Sequence, residues 1–173
     1  TIGSNHNSRS PDGEIVAGRG FWPGLCVSLK HNSKFASFTI LAKGDYPSEL
    51  NIPIPFSLVS NEVSKDQLTV MPGYWFLYNM YALSRNSWKY SDRDKRINKT
   101  QEIEFNFLGP DTVNEILFAL ELMEELTGRA YHQQQGTSLN ISRQEMIKSG
   151  KKLLERKDKI LDELEITAYG FEN

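Results

Sequence analysis

The chain has 173 residues, with 20 Lys and Arg against 22 Asp and Glu and a formal charge of −2. So even a balance argues against broad electrostatic binding of nucleic acid, which needs a clear basic excess to neutralise phosphates, and 39% hydrophobic with 11% aromatic residues excludes wholesale disorder. The single cysteine, Cys26, permits no intramolecular disulfide and no cysteine-based zinc site. No run approaches the roughly 20 apolar residues of a membrane span, so a cytoplasmic protein without membrane partners is expected. The first residue is Thr1, with no Met and no signal-peptide pattern before the first polar run, which reads as a piece of something longer.

Residues 1–62 carry short apolar runs at Glu14–Val16, Leu25–Leu29, Phe35–Ala42 and Ile52–Val59. Gly, Pro, Asn and Ser separate them and read as turns, so the segment is expected to be β. A six-residue recurrence runs through it. Leu29, Phe35 and Leu41 are large and apolar, Ala36 and Ala42 follow two of them, and Ser33 and Thr39 recur four places on. Thr1-Ile2-Gly3 has the same opening. This is the hexapeptide pattern of a parallel β-helix, in which the large residue points inward and the small one fits a tight corner. The alternative is a set of irregular strands in a small mixed domain.

In residues 63–173 the first element is a short strand at Gln67–Val70. A helix is then expected from Pro72, since Pro suits a first turn. Tyr74 to Leu83 are apolar on most faces, which predicts burial. Ser91 to Lys99 read as an exposed mixed-charge loop. Glu102, Glu104 and Asn106 alternate with Ile103, Phe105 and Phe107, the pattern of a strand with one buried face. Thr112 with Glu115 is a capping-box pair, followed by a stripe from Val113 to Leu126. Ser142 with Glu145 is a second box, after which Met146, Leu153 and Ile160 recur at sevens beside Ile147, Leu154 and Leu161. That pattern suits an antiparallel helix pair, locally weakened at Gly150. Ile166 to Phe171 read as a short final strand.

The fold class expected is therefore α+β: the end of a left-handed parallel β-helix over residues 1–62, then a mostly helical cap over 63–173 with an antiparallel helix pair. Three stretches carry a resemblance. They are His6 to Gly24, Ala42 to Ser57 and Pro72 to Ala82. They resemble a family of long bacterial proteins with left-handed β-helix repeats, labelled as related to UDP-N-acetylglucosamine pyrophosphorylases. The resemblance implies a sugar-nucleotide-related transferase-like protein and a homo-oligomer, with a trimer favoured. No Gly-rich nucleotidyltransferase loop is present in these residues, so the label reflects the repeat rather than an activity, and fold does not carry function.

The candidate catalytic residues are His6 and His31, each flanked by polar neighbours. In β-helix acyltransferases a histidine is the general base, and a pKa near neutrality suits it. The competing reading makes both solvated turn histidines. Arg9, Asp12, Glu14, Arg19, Lys30 and Lys43 are the candidate ligand-binding residues, because Arg and Lys around Gly-rich turns can hold a phosphate. Internal salt bridging of loops is the competing reading for them. No metal ligand set is assigned and no cofactor is identified. The ligand classes weighed are sugar nucleotide and acyl-CoA. The function expected is a transferase on such a ligand, with a non-catalytic structural or oligomerisation module as the alternative.

Overall fold

A computed structural model describes residues 2–4, 14–137, 141–164 and 166. The chain divides into two compact units, one ending at Glu115 and the second beginning at Ile116. Each is taken by itself.

Among the described residues the first unit holds ten short strands. They are β1 (Ile2–Ser4), β2 (Val16–Ala17), β3 (Trp22–Pro23), β4 (Val27–Leu29), β5 (Lys34–Phe35), β6 (Ile40–Leu41), β7 (Gly44–Tyr46), β8 (Asn51–Ile52), β9 (Leu58–Glu62) and β10 (Gln67–Met71). They form three small sheets, in the orders β1-β4-β7, β2-β5-β8 and β10-β9-β6-β3. Most pairs are parallel, with Val16 against Lys34, Lys34 against Asn51, and Ile40 against Leu58. The third sheet ends differently, because β10 returns antiparallel to β9 with Gln67 opposite Glu62.

Turns keep these strands short, and the turns have a common chemistry. Asn32, Phe38 and Phe56 sit at φ of 67°, 57° and 57°. Ser33, Thr39 and Ser57 follow them and are wholly buried. Each hydroxyl donates to the carbonyl three residues earlier, at Lys30, Ala36 and Ile54, all at 2.8 Å. A buried hydroxyl thus satisfies a turn carbonyl that would otherwise be desolvated without a partner. The left-handed conformation costs a Phe about 1–2 kcal/mol. Stacking offsets it: the Phe38 and Phe56 rings lie 4.8 Å apart and nearly parallel, at 5°.

The core of this unit is Leu29, Phe35, Leu41, Ile52 and Val59, with Tyr46 and Trp75. The six-residue spacing of Leu29, Phe35 and Leu41 therefore does mark buried positions. The fold class built on it is corrected. In place of the end of a left-handed parallel β-helix, the structure has mixed small sheets of two- to five-residue strands, closed by an antiparallel pair and followed by helices. This is the small mixed arrangement weighed as the alternative.

Two helices follow β10. Helix α1 (Tyr74–Tyr78) starts after Gly73, whose φ is 67°, and α2 (Met80–Arg93) starts after a break at Asn79. The expected burial of this aromatic run is corrected. Trp75 is buried, and its indole N–H donates to the Phe38 carbonyl at 2.6 Å. Phe76, Leu77, Tyr78, Met80 and Tyr81 are exposed. Part of the expected Ser91–Lys99 loop is helix, since α2 runs to Arg93. Just beyond its end, Arg96 at 2.9 Å and Lys99 at 3.7 Å hold the Asp94 carboxyl far below the usual carboxylate range.

The strand expected at Glu102 to Phe107 is absent. The Asn106 N–H donates to the Glu104 carboxylate at 2.7 Å, and the Leu108 N–H to the Asn106 side chain at 3.0 Å. These local bonds compete with a sheet ladder and win. Phe105 instead stacks on Tyr90 at 4.7 Å.

Helix α3 (Pro110–Gln134) begins with Pro in its first turn, as Pro favours. The expected Thr112–Glu115 box does not form. Thr112 donates to the Phe107 and Gly109 carbonyls at 2.8 and 2.9 Å, while Glu115 accepts from the Ser37 N–H at 2.9 Å. The second box does form. Ser142 caps α4 (Arg143–Arg156) through the Glu145 N–H, and Glu145 accepts from the Ser142 N–H at 3.1 Å. That helix ends at Arg156, with Lys157 left-handed at φ 49°, so the seven-residue pattern does not continue as α-helix to Leu164. A short 3₁₀ turn covers Lys159–Glu163.

In the second unit α3 and α4 pack together, with Met146 against Gly128 and with Gly150 and Lys151 against Glu124. Arg143, at the start of α4, reaches Glu121 and Glu125 of α3 at 2.9 and 2.8 Å. Ser149, further along α4, meets His132 at 3.0 Å. Gly128 and Gly150 mark the closest approach of the two helices. A Cβ on Gly150 would strike the Glu124 carbonyl, and one on Gly128 would strike the Met146 carbonyl. Gly150 is thus the residue that lets two backbones touch. The final strand expected at Ile166 to Phe171 lies outside the described residues, apart from Ile166.

Candidate functional site

His6, Arg9 and Asp12 lie outside the described residues. The other five candidates fall in three places.

Arg19 sits in the turn between β2 and β3, within reach of the N-terminus of α3. All three of its guanidinium nitrogens donate hydrogen bonds. Nε and Nη2 donate to the Asp111 carboxylate at 2.7 and 2.8 Å, a bidentate fork. Nη1 donates to the Asn106 carbonyl at 2.8 Å and more weakly to the Glu104 carbonyl at 3.4 Å. The same group lies over the Phe38 ring, 5.9 Å from its centre. The hydrogen bond from Arg19 pulls the Asp111 carboxyl below its ordinary value, against a smaller opposing effect of burial. Asp111 also lies in the first turn of a helix, where the dipole favours a carboxylate. Arg19 therefore ties the β2–β3 turn to Asp111 and to the Asn106 and Glu104 carbonyls.

Glu14, Lys30 and His31 come together at a second place. The Asn32 N–H donates to the Glu14 carbonyl at 3.0 Å, which sets Glu14 beside the turn carrying Lys30 and His31. Glu49 joins them. Its carboxylate is 3.9 Å from the Lys30 ammonium and 3.4 Å from the Asn32 amide. His31 is half-buried and Lys30 exposed. At the third place Lys43 stands exposed in the bend before β7.

Three features of this geometry escape the one-dimensional pattern. Asp111 is 92 residues from Arg19, and no periodicity links them. Glu49 lies 17 residues from Asn32, a spacing set by the parallel pairing of β5 with β8. Cys26 is exposed in a turn at φ 55°. Among the described residues no group of three His, Cys, Asp or Glu side chains could hold a metal ion, and no helix is long and apolar enough to cross a membrane.

The chain is similar to an uncharacterised protein of Treponema pallidum (strain Nichols), at 54% identity over 131 residues. The match covers 76% of this chain and 18% of that protein, so the chain spans less than a fifth of the relative's length. No family model matches the chain, and no solved structure matches it.

Proposed function

We propose that this chain is a non-catalytic structural and oligomerisation module, a part of a larger protein in the way its match occupies part of the Treponema relative. One observation carries the reading. Arg19, the strongest candidate for holding an anion, uses all three guanidinium nitrogens on Asp111 and on the Asn106 and Glu104 carbonyls. A phosphate would have to displace a bidentate carboxylate to reach it.

A second reading draws on the cluster of Glu14, Lys30, His31 and Glu49. There His31 would serve as general base of a transferase on a sugar nucleotide or acyl-CoA, with Lys30 holding the anion.

The test is a thermal-shift screen with acetyl-CoA, CoA, UDP-sugars, UTP and divalent cations. A ligand that binds only the folded state raises Tm. The module reading expects no shift with any of these, and a lower Tm in Arg19→Ala. A rise in Tm that disappears in His31→Ala would overturn it in favour of the transferase.

A further inference from the structure

We infer that the first unit pairs with a second copy of this chain through two adjacent surface segments of opposite charge. The inference rests on the oligomerisation reading and names the surface that would carry it.

The charges of this balanced chain are not evenly spread. From Tyr74 to Lys99 there are six Lys and Arg against two Asp. From Thr100 to Glu115 there are four carboxylates and no cation. Some of these charges are used internally. Asp94 is tied to Arg96 and Lys99, and Asp111 to Arg19. Among the described residues Arg85, Lys89 and Glu102 form no ion pair.

Both segments also expose apolar side chains. On α1 and α2, Leu77, Tyr81 and Trp88 are 68%, 77% and 65% exposed. The Arg85 guanidinium lies over the Tyr81 ring at 5.8 Å, which presents cation and aromatic together. In the acidic segment Ile103, Phe105 and Leu108 are exposed between Glu102, Glu104 and Asp111. Exposed Tyr, Trp and Arg are the residue types that dominate the energy of protein interfaces.

Charge complementarity selects the occupant. A basic aromatic surface calls for an acidic partner with apolar side chains, and the 102–108 segment has that composition. Within one copy it touches only the far end of its basic neighbour, where Phe105 stacks on Tyr90 and the Arg96 guanidinium donates to the Gln101 carbonyl at 3.2 Å, while Leu77, Tyr81 and Trp88 remain exposed. Those two contacts hold the segments side by side. A two-fold axis between them sets the basic segment of each copy on the acidic segment of the other and closes the assembly at two copies.

Sedimentation velocity of the whole chain across a concentration series, at low and high salt, tests this. A monomer–dimer equilibrium that weakens with salt is expected. Trp88→Ala should weaken it by about tenfold or more. Lys89→Glu and Glu102→Lys should each weaken it alone, and an equimolar mixture of the two should restore it, since opposite charges then face each other at both contacts. Circular dichroism and Tm matching the wild type show that each variant is folded, and Tyr81→Ser replaces Trp88→Ala if that variant is not. A dimer indifferent to all these changes would overturn the inference while leaving an oligomerisation module intact. A wild-type chain that stays monomeric at every concentration would overturn it, as would a monomer that instead binds vesicles containing phosphatidylserine. None of these results is the ligand-induced stabilisation that would overturn the module reading.

Discussion

The strands around Leu29, Phe35 and Leu41 and the helices around Tyr74 to Leu83 are both rich in apolar residues, but they use them in opposite ways. In the sheets Leu29, Phe35, Leu41, Ile52 and Val59 are buried, and the buried hydroxyls of Ser33 and Thr39 close turns between them. In α1 and α2 only Trp75, Ala82 and Leu83 are buried, and Phe76, Tyr78, Tyr81 and Trp88 are exposed. A hydrophobic run states how much apolar surface a segment has. What covers that surface is decided by its neighbours in space.

The contrast can be broken most severely from the buried side. Leu41→Ala removes a fully buried side chain and should cost about 2–5 kcal/mol in chemical denaturation. The second unit offers a change whose sign is informative. Gly150→Ala should stabilise an ordinary helix by about 1 kcal/mol. Here its methyl group meets the Glu124 carbonyl, so a loss of about 1–3 kcal/mol is expected in the same measurement. Thr39→Val keeps the shape of the buried turn and deletes its hydroxyl, leaving the Ala36 carbonyl unpartnered. About 1–3 kcal/mol should be lost, towards the smaller end if water reaches the carbonyl.

Two pH effects sharpen the comparison further. Burial pushes the Tyr46 hydroxyl up to about 12. Its folded value is above the ordinary 10, so its contribution is complete below pH 10 and is lost as pH rises towards 12. Ultraviolet titration should show one tyrosine ionising later than the others, and Tyr46→Phe should abolish that late step. Asp111 has the opposite sign. Its folded value lies below the ordinary 3.8, so the Arg19 tie is present above that pH and weakens as pH falls below it. Asp111→Asn should flatten the acid limb of the stability profile. The effect is small, because the carboxylate is about half exposed and water screens the pair. Smallest of all, Tyr81→Ser should change monomer stability by no more than about 0.5 kcal/mol, as expected of an exposed side chain.

Of the candidate site, the residue types were legible and their partners were not. Arg19 is conspicuous among glycines, but Asp111 is 92 residues away. Lys30 and His31 are neighbours in the chain, whereas Glu14 and Glu49 reach them only through parallel pairing. The contact of α3 with α4 shows the same limit. The seven-residue recurrence after Ser142 suggested helices side by side, and the decisive residues were two glycines that add nothing to such a stripe.

The local order of the chain determined much by itself. Six-residue spacing marked Leu29, Phe35 and Leu41 as interior, since an inward position recurs wherever turns recur at a fixed interval. Ser142 and Glu145 declared a helix start, because both partners of that cap lie within one turn. Only the tertiary structure decided that the strands make small mixed sheets, that Arg19 is tied to Asp111, that Gly128 and Gly150 bring two helices into contact, and that most of the aromatic run faces outward. Each of these depends on which distant surface arrives alongside, and short-range periodicity holds no record of that.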